Sequence, residues 1–176
     1  MSIIKSLEWR YATKKFDGAK FLSETQINTL KEAFNLTATS YGLQPVKMVV
    51  VQNKKLQERL VEYSWNQQQV AQASHVLILC IQKNMTSEDV ENYFSLVKKI
   101  RSTPDEILNP FKDYLKKDMK TKSEYDLHTW MKNQAYIALG NLMTVAAAES
   151  IDSCPMEGFI PEKYNEVLNL DTYNLK

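Results

Sequence analysis

From Asn133 to Ala148 the chain runs for sixteen residues without a charge, and no other feature constrains the fold so tightly. A helix that is apolar on every side has no face to offer water and must be enclosed by protein. The stretch is shorter than a bilayer span and carries Asn133, Gln134 and Asn141, so a buried core helix fits better than a membrane segment. Gly140 and Ala146 to Ala148 keep its surface low, which suits close approach of another helix. The helix is predicted to run from about Ser123 to Ser150. At 176 residues, the chain is long enough for a single domain, residues 1–176, to form around such a core.

Periodicity supplies the other elements. Ser23 and Gln26 make a capping-box pattern, and Ile27, Leu30, Phe34 and Ala38 follow at helical spacing. Thr39 to Gly42 has loop composition. Val46 to Gln52 and Val76 to Gln82 are short, apolar and β-rich, which predicts two buried strands. Leu56, Leu60 and Tyr63 mark a short helix between them, followed by the polar run Asn66 to Gln69. Thr86 to Arg101 reads as a helix with Val90, Phe94, Val97 and Ile100 on one face, and Pro104 to Met119 as another, interrupted or kinked near Pro110. Two strands are thin for a sheet, so a third is expected within Tyr11 to Phe21 or near the C-terminus.

Charge and cysteine usage narrow the function. With 22 basic and 21 acidic residues, the net charge of +1 gives no global field that favours nucleic acid or membrane. The lysines between Lys112 and Lys122 alternate with acids, as on a solvated helix face. Cys80 and Cys154 have no metal-ligand spacing, and His75 and His128 do not make a zinc site without carboxylate help, so no metal is expected. Met1 to Arg10 lacks the apolar core of a signal peptide, which points to a reduced, cytoplasmic setting. Only four glycines occur, with no dinucleotide fingerprint, no P-loop and no Ser-His-Asp or Cys-His set.

Four groups of residues have chemical potential. Arg10 and Lys14 would share a helix face, or converge on one anion from a loop; Arg grips phosphate bidentately and Lys adds a mobile charge. They read equally as surface cations beside Glu8 and Asp17. In Pro155-Met156-Glu157-Gly158, Gly158 permits an unusual backbone angle or a close approach. Pro155 stiffens the turn and leaves the Glu157 and Gly158 amides free for a ligand, or the segment is simply a tight connection after a long helix. The Asn66 to Gln69 amides suit the pyrimidine edge of a flavin or nucleobase, or line a solvated loop. Tyr41, beside Ser40 and Gln44, could stack on a planar ligand or cover the core edge.

Taken in order, these segments resemble the FMN-dependent nitroreductase family. Arg10 to Asp17 is similar to its opening R-x-S-x-R/K-x-F-D motif, and Thr39 to Pro45 to its P-S-S-x-x-x-Q-P loop. Ala73 to Val76 resembles the segment before its central strand, Gln134 to Asn141 its long core helix, and Pro155 to Gly158 its P-I/M-E-G turn. The resemblance implies an α+β fold, with a central mixed β-sheet flanked by helices, and a homodimer whose long helices pack across the two-fold with FMN at the interface. By position, Arg10 would bind the FMN phosphate within a cofactor segment that includes Tyr11 and Ala12. Lys14 would approach the flavin or its ribityl chain, Asn66 the pyrimidine edge, and Gln69 the N1–C2=O edge. Ser40 would come from the opposite subunit. Pro155 and Met156 would shape the turn whose Glu157 and Gly158 amides face N5 and O4. Tyr41, Phe111 and Tyr114 would border the substrate pocket, and no side chain is assigned as a catalytic acid or base. The implied reaction has two half-steps: NADH or NADPH reduces FMN and leaves, and a nitroaromatic or quinone takes the electrons.

Three departures from the family pattern carry expectations. Ala12 replaces a Ser or Thr and removes a hydroxyl contact. Gln69 stands where relatives often have Lys, and a lost cation there should lower the flavin potential. Family members continue beyond Tyr173 to Lys176 with a strand, two basic phosphate ligands and a tail over the partner, so weaker FMN binding is expected of this chain. A catalytically weak flavin-binding relative and a helical dimerisation domain are the alternatives to turnover.

Overall fold

In the computed structural model, residues 2–176 are described. The uncharged stretch forms the latter part of α7 (Glu124–Ala148), capped by the Ser123 hydroxyl, which accepts from the Asp126 amide at 3.1 Å. Met131 and Ala138 are fully buried and, with Leu142 and Ala146, pack against Ile27, Leu30 and Phe34 of α2 (Glu24–Asn35). The capping box predicted at Ser23 and Gln26 opens α2.

The polar residues of α7 tie it to its surroundings. Gln134 is buried, its Oε1 accepting from the Ser40 amide at 2.8 Å and its Nε2 donating to the Trp130 carbonyl at 2.9 Å. The Asn141 amide donates to the Ala33 carbonyl and to Thr37 Oγ1, both at 2.9 Å. Buried amides partnered in this way fix the helix in one register against α2 and the Ser40 loop. Enclosure on every side does not hold, however. Tyr136 and Ile137 are about half exposed, and a Cβ on Gly140 would meet nothing within 4 Å. This chain covers the α2 and sheet side of α7 and leaves a stripe open.

The two apolar runs pair as antiparallel strands, β1 (Val46–Val51) and β2 (Val76–Ile81), with Val46 opposite Ile81 and Val51 opposite Val76. Alternation sorts their side chains. Val46, Met48, Val50, Leu77, Leu79 and Ile81 face the α7 core. Val49, Val51, Val76, Ile78 and Cys80 face a second core with Leu60, Val70, Tyr164 and Leu170. Burial on both faces is why the runs read as continuously apolar.

The α+β class is as expected, but the sheet is antiparallel rather than mixed. Both locations proposed for a third strand contain only isolated bridges: Ala12 pairs in parallel with Ser153, and Gln82 antiparallel with Leu175. Near Ala12 the backbone turns to side-chain partners, Phe16 donating its N–H to Gln72 Oε1 at 3.3 Å, so no ladder extends.

Helices α3 (Lys54–Glu62) and α4 (Gln69–Gln72) connect the strands. Helices α5 (Ser87–Arg101) and α6 (Asp105–Thr121) form a pair around Val90, Phe94, Leu108 and Leu115. Pro110 lies within α6, which continues through it, and Ile100 at the end of α5 is 71% exposed rather than on the buried face. Periodicity missed α1 (Ile3–Trp9) and α8 (Pro161–Leu168), although Ser2 as N-cap and Pro161 in the first turn were local signals for them. Among the described residues no helix is long and apolar enough to cross a membrane.

Burial gives Cys80 a measurable signature, its thiol being pushed up to about 11 by desolvation. The folded chain therefore holds this proton at pH values where the unfolded thiol, at its ordinary 9.0, has lost it. That contribution is intact below pH 9 and lost as pH rises toward 11. Urea unfolding across this range is expected to show a stability decline that Cys80→Ala reduces, and native protein at pH 8 should be alkylated at Cys154 but not at Cys80.

Candidate functional site

Three segments distant in sequence meet along one wall. Arg10 ends α1 with extended backbone (φ −72°, ψ 143°), so Arg10 and Lys14 do not share a helix face. Ala12 bridges Ser153, and the buried Thr13 donates its N–H to the Ser153 carbonyl and its hydroxyl to Asp152 Oδ1, both at 3.2 Å. These contacts draw Lys14 to Cys154, with Nζ 3.7 Å from Sγ. Tyr11 is 65% exposed.

Arg10 Nε is buried and, among the described residues, has no acceptor. A buried charged donor without a partner is costly, by about 1–3 kcal/mol or more. The position therefore calls for an anionic acceptor from outside the chain.

The second segment is the turn after α7. Pro155 is half-buried and Met156 packs on the second core, which anchors the turn. Ile160 N–H donates to the Tyr63 carbonyl at 2.8 Å and Phe159 N–H to the Glu157 carbonyl at 3.0 Å. The Glu157 and Gly158 N–H groups find no acceptor among the described residues. Of the two roles open to Gly158, close approach is the one realised, since a Cβ there would lie 2.8 Å from both Gln67 Nε2 and Trp65 Cε3.

The third segment supplies those neighbours. Gln67 Nε2 donates to the Gly158 carbonyl at 3.0 Å, and Gln69 Nε2 to Gln67 Oε1 at 3.0 Å. Gln69 is buried at the start of α4, so the polar run is not simply a solvated loop. Asn66 is exposed with a left-handed backbone (φ 59°). Gln72, accepting from Phe16, closes the wall.

A second group gathers around α6. Tyr41, left-handed at φ 60°, packs its ring 6.2 Å from Phe111 and 6.1 Å from Trp130, and Phe111 stacks on Tyr114 at 6.3 Å. Gly42 (φ 74°) is required here, because a Cβ would strike the Tyr93 hydroxyl. Tyr41, Phe111 and Tyr114 are thus brought together, with Ser40 exposed at the start of their loop. Among the described residues, no hydrogen bond or ring contact joins this aromatic group to the Arg10 wall. Helix α7 carries both, Gln134 holding the Ser40 amide and Tyr136 donating its hydroxyl to the Glu157 carboxylate at 2.5 Å. That bond, then burial, holds the Tyr136 phenol above its ordinary 10.0. The sequence reading missed Thr13, Trp65, Gln67 and Tyr136. Trp65, an aromatic directly preceding the amide run, was the most legible of them.

The fold and this arrangement define an α+β protein with a candidate wall for an anionic, planar ligand. The model of the nitroreductase family matches residues 7–176, and the chain belongs to that family, which ranks it with oxidoreductases. A Staphylococcus epidermidis protein assigned the name NAD(P)H nitroreductase is 41% identical over 172 residues, covering 96% of this chain and 78% of the relative. A Bacillus subtilis protein assigned the same activity name is 34% identical over 176 residues, covering 94% and 78%. The fold is shared with a nitroreductase-like protein from Streptococcus mutans (TM-score 0.88, 22% identity, 98% and 83% of the two chains). It is also shared with an Exiguobacterium sibiricum structure solved with FMN (TM-score 0.84, 17% identity, 96% and 80%).

Proposed function

We propose that the protein is an FMN-dependent oxidoreductase that passes electrons from NADH or NADPH to nitroaromatic or quinone acceptors. The observation that carries this reading is the pairing, on one wall, of the unpartnered Arg10 Nε with the free Glu157 and Gly158 amides. Bound FMN would supply the hydride chemistry. Arg10 would hold the phosphate and Lys14 the ribityl chain or ring, beside Tyr11 and Ala12. Asn66 and the Gln69–Gln67 relay would face the pyrimidine edge. Gly158, lacking a side chain, lets the Pro155–Met156 turn present its two N–H groups to electron-rich ring atoms. No side chain has to ionise in this scheme, so the chain's work is charge neutralisation and positioning.

The open stripe on α7 supports the homodimer: Tyr136, Ile137 and Gly140 would pack across a two-fold, bringing Ser40, Tyr41, Phe111 and Tyr114 of one protomer to the wall of the other. Two free cysteines fit a cytoplasmic setting. With saturating FMN, initial rates with NADH and menadione are expected to give parallel double-reciprocal lines; intersecting lines, or no turnover, would defeat the two-half-step scheme.

Gln69→Lys should place a cation near the pyrimidine edge and raise the bound flavin's two-electron potential by on the order of 30 mV, equivalent to about 1.4 kcal/mol. Potentiometry that finds no rise would remove Gln69 from the flavin's surroundings.

A further inference from the structure

Trp65 is the most exposed of the three tryptophans, 69% accessible, and joins none of the three core clusters. Its backbone is left-handed (φ 55°), which disfavours any residue with a Cβ, and Asn66 follows in the same region. Folding gains little from an indole so placed. Among the described residues it has no ring partner and no hydrogen bond. Glycine or asparagine would satisfy the turn with less strain.

The indole is nevertheless fixed. Asn66 N–H donates to the Val61 carbonyl at 3.1 Å, and Gln67 Nε2 to the Gly158 carbonyl, so the loop is pinned on both sides. The indole edge lies against Gly158, near enough that a Cβ there would meet Cε3 at 2.8 Å and Cζ3 at 3.0 Å. The result is an aromatic face held in the open beside two backbone donors that lack acceptors. That combination suits a flat π-system with electron-rich atoms at its edge.

We propose that Trp65 is the acceptor-side stacking wall of the site, a specificity-determining residue that favours flat aromatic acceptors over compact non-planar ones; the inference rests on the flavin reading above. Stacking of this kind is worth roughly three- to tenfold in binding.

The test uses the FMN-loaded protein and compares 1,4-naphthoquinone, which is flat, with ferricyanide, which is compact. Trp65→Ala is expected to raise KM for the quinone roughly three- to tenfold while leaving kcat, the KM for NADH and the KM for ferricyanide unchanged. Trp65→Phe should restore the quinone KM. Trp65→Gly, which removes the ring and relieves the backbone, should behave as Trp65→Ala. Calorimetric titration with naphthalene-2-carboxylate, which is not reduced, should show the same factor in Kd. An unchanged quinone KM, or equal losses with both acceptors, would overturn the proposal. So would a weakened dimer in sedimentation with unchanged KM values, which would assign the indole to a second copy of the chain. Wild-type protein that binds FMN but reduces neither acceptor would instead overturn the flavin reading, and this inference with it.

Discussion

Arg10→Ala is expected to weaken FMN binding by two orders of magnitude or more while leaving the flavin-free protein as stable as before, or slightly more so. The two halves of that result have one cause. The guanidinium has a buried N–H without an acceptor, so its removal relieves a cost in the empty site. In the loaded site it would make two charge-assisted bonds to phosphate, each worth about 1.5–3 kcal/mol, so their joint loss corresponds to about 3–6 kcal/mol, or roughly 100-fold or more in Kd. Arg10→Lys should recover only part of this, because an ammonium cannot reproduce the bidentate fork. Flavin titration together with urea unfolding checks both halves. Equal losses of stability and affinity would reduce Arg10 to a structural residue.

Gly158→Ala is expected to have the second large effect, by a different route. The added methyl would sit 2.8 Å from Gln67 Nε2 and from the Trp65 ring, so the turn or the Trp65–Gln69 loop has to move. Overpacking of this kind costs about 1–3 kcal/mol. Displacing the turn also re-aims the Glu157 and Gly158 amides, so FMN retention should fall along with stability. Relief should come from the other side of the clash: Trp65→Ala in the Gly158→Ala background is expected to restore part of the lost stability, a coupling that independent sites would not show. Strict additivity in urea unfolding would show that the two positions do not constrain one another.

The strands were legible because burial on both faces leaves a dense, β-branched run, and α7 because no charge interrupts it. The enclosure of α7 was over-read. Periodicity reports that a face is apolar but not which molecule covers it, and Tyr136, Ile137 and Gly140 remain open within this chain. The third strand was also over-read, since Ala12 and Leu175 make single bridges and their neighbours bond elsewhere. At the candidate site, the residues with strong local chemistry were legible: Arg10, Lys14 and the Pro155 to Gly158 turn. What lay beyond the sequence was the contact that joins the segments. Gln67 reaching Gly158 spans 91 positions, and Thr13 reaching Asp152 spans 139, with nothing in either local pattern to announce the pairing. Gly158 shows the limit clearly, because sequence allowed either a backbone angle or a close approach, and the Trp65 ring decides between them.

The central claim is that this wall binds FMN in a form reducible by a nicotinamide nucleotide. It is tested most directly by the visible spectrum of the purified protein after incubation with FMN and gel filtration, recorded before and after anaerobic NADH. The account predicts flavin absorbance that co-elutes with a dimer and bleaches on addition of NADH. A protein that emerges colourless from tens of micromolar FMN, or whose bound flavin is untouched by NADH and NADPH alike, would contradict it.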